Sequence, residues 1–187
     1  TNLDVMRRHP NMDQAMREQI MIDLERDAGD MAALVEEVVA IAAERHSNEL
    51  PEPIEMKSVT QSIVERASRR SGRDIVVNAD DSIVIANHHM FDRAVSNLID
   101  NALKFDTSSQ QIEVMIRNGS LTVSDRGIGI PEDEVQLIFE RFHRSAASRS
   151  MPGSGLGLSI VADFAHAHDG SVFARNRVGG GAEIGFS

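Results

Sequence analysis

The sequence has 187 residues, 41% hydrophobic, 26% charged and 4% aromatic, and its 19 Lys and Arg face 29 Asp and Glu for a formal charge of −10. Such a length suits a domain with an appendage that buries its own core, and the absence of Cys removes disulfides, thiolate metal sites and Cys nucleophiles. The acidic balance argues against a broad electrostatic grip on nucleic acid or an anionic membrane; no apolar run approaches the ~20 residues of a bilayer span, and no signal-peptide pattern opens the chain.

Leu3–Arg8 reads as the end of a helix stopped by His9-Pro10-Asn11. A long helix follows from Asp13 to His46, without Pro and with one glycine, Gly29. Met21, Leu24, Ala28, Met31, Val35, Val38 and Ala42 recur in steps of three and four, a heptad seam that needs another helix to cover it. Ile20, Leu34, Val39 and Ile41 widen the stripe towards a bundle. Residues 1–46 are thus expected to form an antiparallel helical hairpin with a short first arm. The unmatched length implies residues missing upstream and cover from another chain.

Residues 47–53 read as a linker into a short strand, because Pro51 and Pro53 forbid a continuing helix. Ser58–Ser71 reads as a helix, with Ser58 and Gln61 spaced as a capping box. Asp74–Asn78 and Ser82–Ala86 read as strands, and Asn87 caps a helix running to about Phe105. Gln111–Arg117 and Leu121–Ser124 form a hairpin around Asn118-Gly119. Gly157–His168 is helical and ends at Gly170; Ser171–Asn176 and Glu183–Phe186 are strands around Gly179-Gly180-Gly181. This mixture predicts an α+β domain over residues 54–187, a two-layer α/β sandwich with a mixed sheet.

Three segments share a chemical theme. Asn97, Asn101 and Lys104 stand at i, i+4 and i+7, within roughly 60° on one helix face. Two amides and an ammonium there suit a hydrated Mg²⁺ and phosphate oxygens, although an ordinary solvated face carries the same residues. In Asp125-Arg126-Gly127-Ile128-Gly129-Ile130 a carboxylate at a strand end stands beside a tight turn. It suits a base amino group, or simply a turn. Gly153-Ser154-Gly155-Leu156-Gly157-Leu158 opens a helix, where backbone N–H groups and the positive helix end attract an anion; a hinge is the plainer alternative. Between them, a short aromatic helix at Leu137–Arg144 and a basic, small-residue loop read as a lid anchored by Phe139 and Phe142, with Arg144 and Arg149 free to swing towards phosphates.

Asn-x-x-x-Asn-x-x-Lys, Asp-x-Gly-x-Gly, Phe-x-x-Phe and Gly-x-Gly-x-Gly, in that order, resemble the nucleotide-binding domain of bacterial sensor histidine kinases over roughly Ile54 to Ser187. The resemblance implies the ATP-binding fold shared with DNA gyrase, mismatch-repair ATPases and heat-shock chaperones, with ATP lying between helices and sheet beneath a lid. It makes Asn101 the Mg²⁺ ligand, Asn97 its neighbour, Lys104 a phosphate contact and Asp125 the adenine reader. Gly127 and Gly129 form the turn beside the base, and Gly153, Gly155 and Gly157 the lid end near the phosphates. Ile130, Phe142, Arg144, Ser154, Leu156 and Leu158 complete the ATP-binding set. ATP-hydrolysing relatives carry a Glu where this chain has Asn97, and an amide is no general base. That favours storing the γ-phosphoryl for another nucleophile over an ATP-operated clamp or ATPase, or over a non-catalytic dimerising scaffold.

The hairpin resembles the dimerisation region of the same kinases but lacks their His-Glu-Leu-Arg-Thr-Pro phosphoacceptor motif. His9, His46, His88 and His89 each lack an acidic neighbour immediately following on an exposed bundle face. The chain is therefore expected to begin just downstream of the phosphorylated histidine, to contain no catalytic residue of its own and not to phosphorylate itself. The implied partners are a second copy through the hairpin and a response regulator, with no nucleic acid. The resemblance implies that any membrane attachment lies in upstream segments and that this chain is the cytoplasmic portion of a membrane-anchored sensor.

Overall fold

The computed structural model describes residues 12–14, 16–24, 28, 29, 31, 35, 39, 50–108, 110–145, 151 and 153–187. The chain divides into two compact units, residues 1–46 with 147–154 and residues 47–146 with 155–187. In the first, every described residue from Gln14 to Val39 is helical, and Asp13 caps the start by accepting the Met16 N–H at 2.7 Å. Ile20 is buried, whereas Met21, Met31, Val35 and Val39 are exposed. The short arm expected at Leu3–Arg8, and seam residues Val38 and Ala42, lie outside the described residues. Among the described residues no helix is long and apolar enough to cross a membrane.

The second unit contains strands β1 (Glu52–Glu55), β2 (Ile75–Ala79), β3 (Ile83–Ala86), β4 (Ile112–Arg117), β5 (Ser120–Ser124), β6 (Val172–Asn176) and β7 (Ala182–Phe186). Its helices are α1 (Met56–Ser71), α2 (His88–Phe105) and α3 (Gly157–Ala167). The main sheet is five-stranded in the order β2-β4-β5-β7-β6, and β1 and β3 form a separate antiparallel ribbon. β2 and β4 run parallel and the other main-sheet pairs antiparallel. Alternation decides the layers: Ile112, Val114 and Ile116 of β4 are buried, while Glu113, Met115 and Arg117 face outward. α2 turns Phe91, Ala94, Val95, Leu98, Ile99 and Ala102 into the core. Each large side chain buried this way stabilises the fold by about 1.5–3 kcal/mol. Phe91, Phe164 and Phe186 meet edge-on, with centroids 5.8, 6.2 and 5.0 Å apart. The mixed sheet under one helical layer is the expected sandwich.

Several local expectations need correction. α1 starts at Met56, not Ser58, because Met56 is fully buried and its N–H reaches the Ser82 carbonyl at 3.2 Å. The capping box therefore does not form; the Ser58 hydroxyl instead donates to the Glu55 carbonyl. Pro53 lies inside β1, in a ribbon where a missing N–H is tolerated. The helix expected over Gly157–His168 ends at Ala167, and Asp169 takes the left-handed conformation, with φ +58°. Gly170 is needed for space: a Cβ there would stand 2.2 Å from the Ser187 carbonyl oxygen. The aromatic helix expected at Leu137–Arg144 shrinks to a 3₁₀ turn, Leu137–Phe139. Phe139 packs against the core, whereas the Phe142 ring is 59% exposed rather than anchored in it.

Candidate functional site

The wall of the site is α2. Asn87 Oδ1 accepts the Met90 N–H at 2.9 Å and fixes where the helix starts, hence which residues face the core. Asn97, Asn101 and Lys104 then stand together, each half-buried. Asn97 Nδ2 donates to the Arg93 carbonyl at 2.9 Å, and its Oδ1 lies 2.9 Å from where a Cβ on Gly157 would be. Gly157 is therefore what lets the start of α3 approach the wall. The Lys104 ammonium sits 5.0 Å above the Phe105 ring.

Asp125 closes β5 and is 4% exposed. Its N–H donates to the Ala182 carbonyl at 3.0 Å, extending the β5–β7 ladder by one residue. Its Oδ1 accepts the Gly127 N–H at 2.8 Å and the Ala182 N–H at 3.2 Å. Burial pushes its carboxyl above the ordinary range, helped by the charge of Asp106; the two N–H donors and Arg177 pull the other way without prevailing. Gly127 presses on the end of α2, where a Cβ would stand 2.4 Å from the Phe105 carbonyl oxygen. Gly129 takes φ +73°. Ile130 beyond it is gripped by Asn176, whose Oδ1 accepts the Ile130 N–H and whose Nδ2 donates to the Ile130 carbonyl, both at 2.7 Å.

At the rim, Gly155 has φ +77°, and a Cβ there would stand 2.9 Å from the His143 carbonyl oxygen. The Gly155 carbonyl accepts the Phe142 N–H at 3.0 Å, joining the two ends of the lid segment. Leu156 is buried, Leu158 packs against the core, and Arg144 is half-buried. The structure thus brings Asn97 to Gly157, Phe142 to Gly155, and the Asp125–Gly127 turn to the end of α2. Gly153 and Ser154 group with the first unit, and Arg149 lies outside the described residues.

Sequence reasoning missed Asp106, Asn176, Arg177 and Gly181. Arg177 Nη1 donates to the Asp125 carbonyl at 3.3 Å, and a Cβ on Gly181 would stand 2.1 Å from that same oxygen. The triple glycine was the available signal. Among the described residues no group of three or more His, Asp or Glu could hold a metal. A lone half-buried amide such as Asn101 does fit Mg²⁺, which keeps waters and takes most other ligands from nucleotide phosphates.

A family model described as histidine kinase-, DNA gyrase B- and HSP90-like ATPase matches residues 86–187. The chain belongs to this family. It is 37% identical over 165 residues to the signal transduction histidine-protein kinase/phosphatase MprB of Mycolicibacterium smegmatis, a match covering 84% of this chain and 33% of the relative. The Mycobacterium avium MprB is 35% identical, with 91% of this chain and 34% of the relative covered. The chain thus spans about a third of the length of these curated relatives. The solved structure of a mycobacterial sensor histidine kinase MprB superposes with a TM-score of 0.67 at 33% identity, covering 73% of this chain and 95% of that one. The ATP binding domain of PrrB from Mycobacterium tuberculosis gives 0.59 at 25% identity, covering 72% and 93%. The expected α+β ATPase-type fold is the one found.

Proposed function

We propose that this chain is the catalytic, ATP-binding part of a sensor histidine kinase. It binds Mg·ATP and donates the γ-phosphoryl to a histidine of a dimerisation domain, from which the group passes to an aspartate of a response regulator. One observation carries the reading: α2 touches both other parts of the site, Gly127 at Phe105 and Gly157 at Asn97. A base at Asp125 and phosphates along Asn97, Asn101 and Lys104 therefore belong to one ligand. Ionised Asp125 accepts the adenine amino group and faces a repelling carbonyl in guanine. Lys104 and the N-terminus of α3 supply positive charge to the phosphates, and Phe142, Arg144 and the Gly155–Leu158 rim cover them. Asn101 would hold Mg²⁺, which neutralises charge developing on the phosphates. In the transfer the bond from the γ-phosphorus to the bridging oxygen breaks and ADP leaves. A bond forms to the unprotonated imidazole nitrogen, and the proton on the other ring nitrogen goes to a neighbouring base. Asn97, an amide whose Nδ2 is committed to the Arg93 carbonyl, cannot activate water in competition.

The exposed Met21, Met31, Val35 and Val39 support pairing with a second copy through the helical hairpin. ATP is supplied in the cytoplasm, so this part works on that side of any membrane anchor. Calorimetric titration with a non-hydrolysable ATP analogue should show binding strengthened by Mg²⁺ and a preference over the GTP analogue on the order of 10- to 100-fold, lost in Asp125→Asn. With labelled ATP, acid-labile label should appear on an added phosphoacceptor region and not on this chain alone. Equal affinity for the two nucleotides, or steady phosphate release, would sink the reading.

A further inference from the structure

The end of α2 carries a buried charge that the proposed reaction does not use. Asp106 is 1% exposed, and its carboxylate is fully engaged: Oδ1 accepts the Ser108 N–H at 2.7 Å and Oδ2 the Arg126 N–H at 3.1 Å. Arg73 Nη2 lies 3.2 Å from Oδ2, and Arg73 also donates to the carbonyls of Asp106 and Gln110 at 2.7 and 2.8 Å. The Asp106 N–H closes α2 on the Ala102 carbonyl at 2.9 Å. One side chain thus joins the last turn of the wall to the residue directly after Asp125. A hydroxyl or an amide could accept the Arg126 N–H as well. A carboxylate beside a second buried carboxylate does something that neither of those does.

Resting on the reading of Asp125 as the adenine contact, we propose that Asp106 is a positioning residue for base recognition, which holds the Asp125–Gly127 turn at the end of α2 and, through its fixed charge, adds to the pH dependence of adenine binding. Burial opposes that charge, but the hydrogen bonds from Ser108 and Arg126 and the Arg73 guanidinium hold the Asp106 carboxyl below the ordinary range. It therefore remains negative while Asp125, whose proton affinity it raises, titrates. The other charges around Asp125 are Arg177 on its carbonyl, Glu113 and Glu183 paired to Arg177, and Arg126 on its own turn. Arg177 partly offsets Asp106, and the two Glu residues are turned to Arg177.

The test measures ATP- and GTP-analogue affinity against pH in the 187-residue chain, in Asp106→Asn and in Asp106→Ser. In the unmodified chain ATP affinity should fall on acidification with a midpoint above the ordinary carboxylate value. Both variants should move that midpoint down, because an amide or a hydroxyl can still accept the Arg126 N–H but carries no charge. A midpoint unmoved while thermal stability drops would reduce Asp106 to a structural cap and overturn the proposal. Should neither variant fold, carbon-detected NMR titration of both carboxyls in the unmodified chain decides: an Asp106 that stays ionised throughout an elevated Asp125 transition supports the proposal, whereas an Asp106 that is protonated in that range, or an ordinary Asp125 midpoint, overturns it. If Asp125→Asn leaves the nucleotide preference intact, the adenine-contact reading fails instead.

Discussion

The two ends of the site are built differently. The base end is saturated: Asp125 bonds β7 through its backbone and side chain, Asn176 holds Ile130 by two hydrogen bonds, and Asp106 and Arg177 hold the turn from opposite sides. At the rim the backbone itself is strained. One backbone bond joins Phe142 to Gly155, a half-exposed ion pair joins Arg141 to Asp163 at 2.9 Å, and Phe142 sits at φ +64° with its ring exposed. A left-handed non-glycine residue costs about 1–2 kcal/mol. Base recognition gains from a rigid carboxylate, whereas a rim that must admit a triphosphate and expose its γ-phosphoryl gains from a strained backbone poised to rearrange.

The contrast can be broken most sharply at Gly181. It has φ +90° and lies against the Asp125 carbonyl, so Gly181→Ala combines backbone strain with a clash against backbone. We expect a loss of about 3 kcal/mol in thermal unfolding, with nucleotide binding abolished. A variant that melts normally and binds ATP would mean that the base end is not rigid. Asn176→Ala strips two hydrogen bonds from Ile130 and should cost about 1–2 kcal/mol, with several-fold weaker ATP binding. Unchanged affinity there would detach Asn176 from base recognition.

At the rim the sign should reverse. Phe142→Gly removes an exposed ring and relieves the left-handed conformation, so it should stabilise by about 1 kcal/mol, measured by denaturant midpoint. Destabilisation instead would mean that the Phe142 ring is covered. A gentler probe is pH. The folded chain holds the Asp125 proton more tightly than the unfolded chain, so stability without nucleotide should fall as pH rises from the ordinary carboxylate value through the raised one. Asp106 has the opposite sign, its contribution being lost only as pH falls below the ordinary value. Thermal melts from acid to neutral pH, with and without ATP analogue, separate these two slopes, because ligand binding should rise with pH while unliganded stability falls. Stability rising through the Asp125 window would contradict the raised value.

Much of this was legible because it is local. Asn87 as a cap, the positive-φ pair Asn118-Gly119 and the alternation of β4 each follow from a few adjacent residues. So did the grouping of Asn97, Asn101 and Lys104, which needs only helical spacing. The grip on Asp125 was not legible. Arg177 and Gly181 reach it, and Asn176 reaches Ile130, across some 50 residues of chain through the sheet pairing, and no periodicity records that. Asp106 was hidden for another reason: an Asp after a helix is ordinary, and only its burial reveals its charge as unusual. Phe142 misled because an aromatic residue in an apolar run suggests an anchor, and a left-handed backbone turned its ring outward.

The smallest effect is a control placed outside both ends. Thr60 of α1 is fully buried, and its hydroxyl has no hydrogen-bond partner among the described residues. Val has nearly the same shape without the buried oxygen, so Thr60→Val removes an unmet desolvation penalty and leaves no cavity. We expect a gain of up to about 1 kcal/mol, a rise of roughly 2–4 °C in melting temperature for a chain of this size. ATP-analogue affinity and the pH midpoint should both stay where they are, since α1 supplies no residue to the wall, the turn or the rim. If affinity falls, the hydroxyl acquires a partner only when nucleotide binds. The rigidity of the base end would then reach through α1, and the division between a fixed end and a strained rim would no longer describe the site.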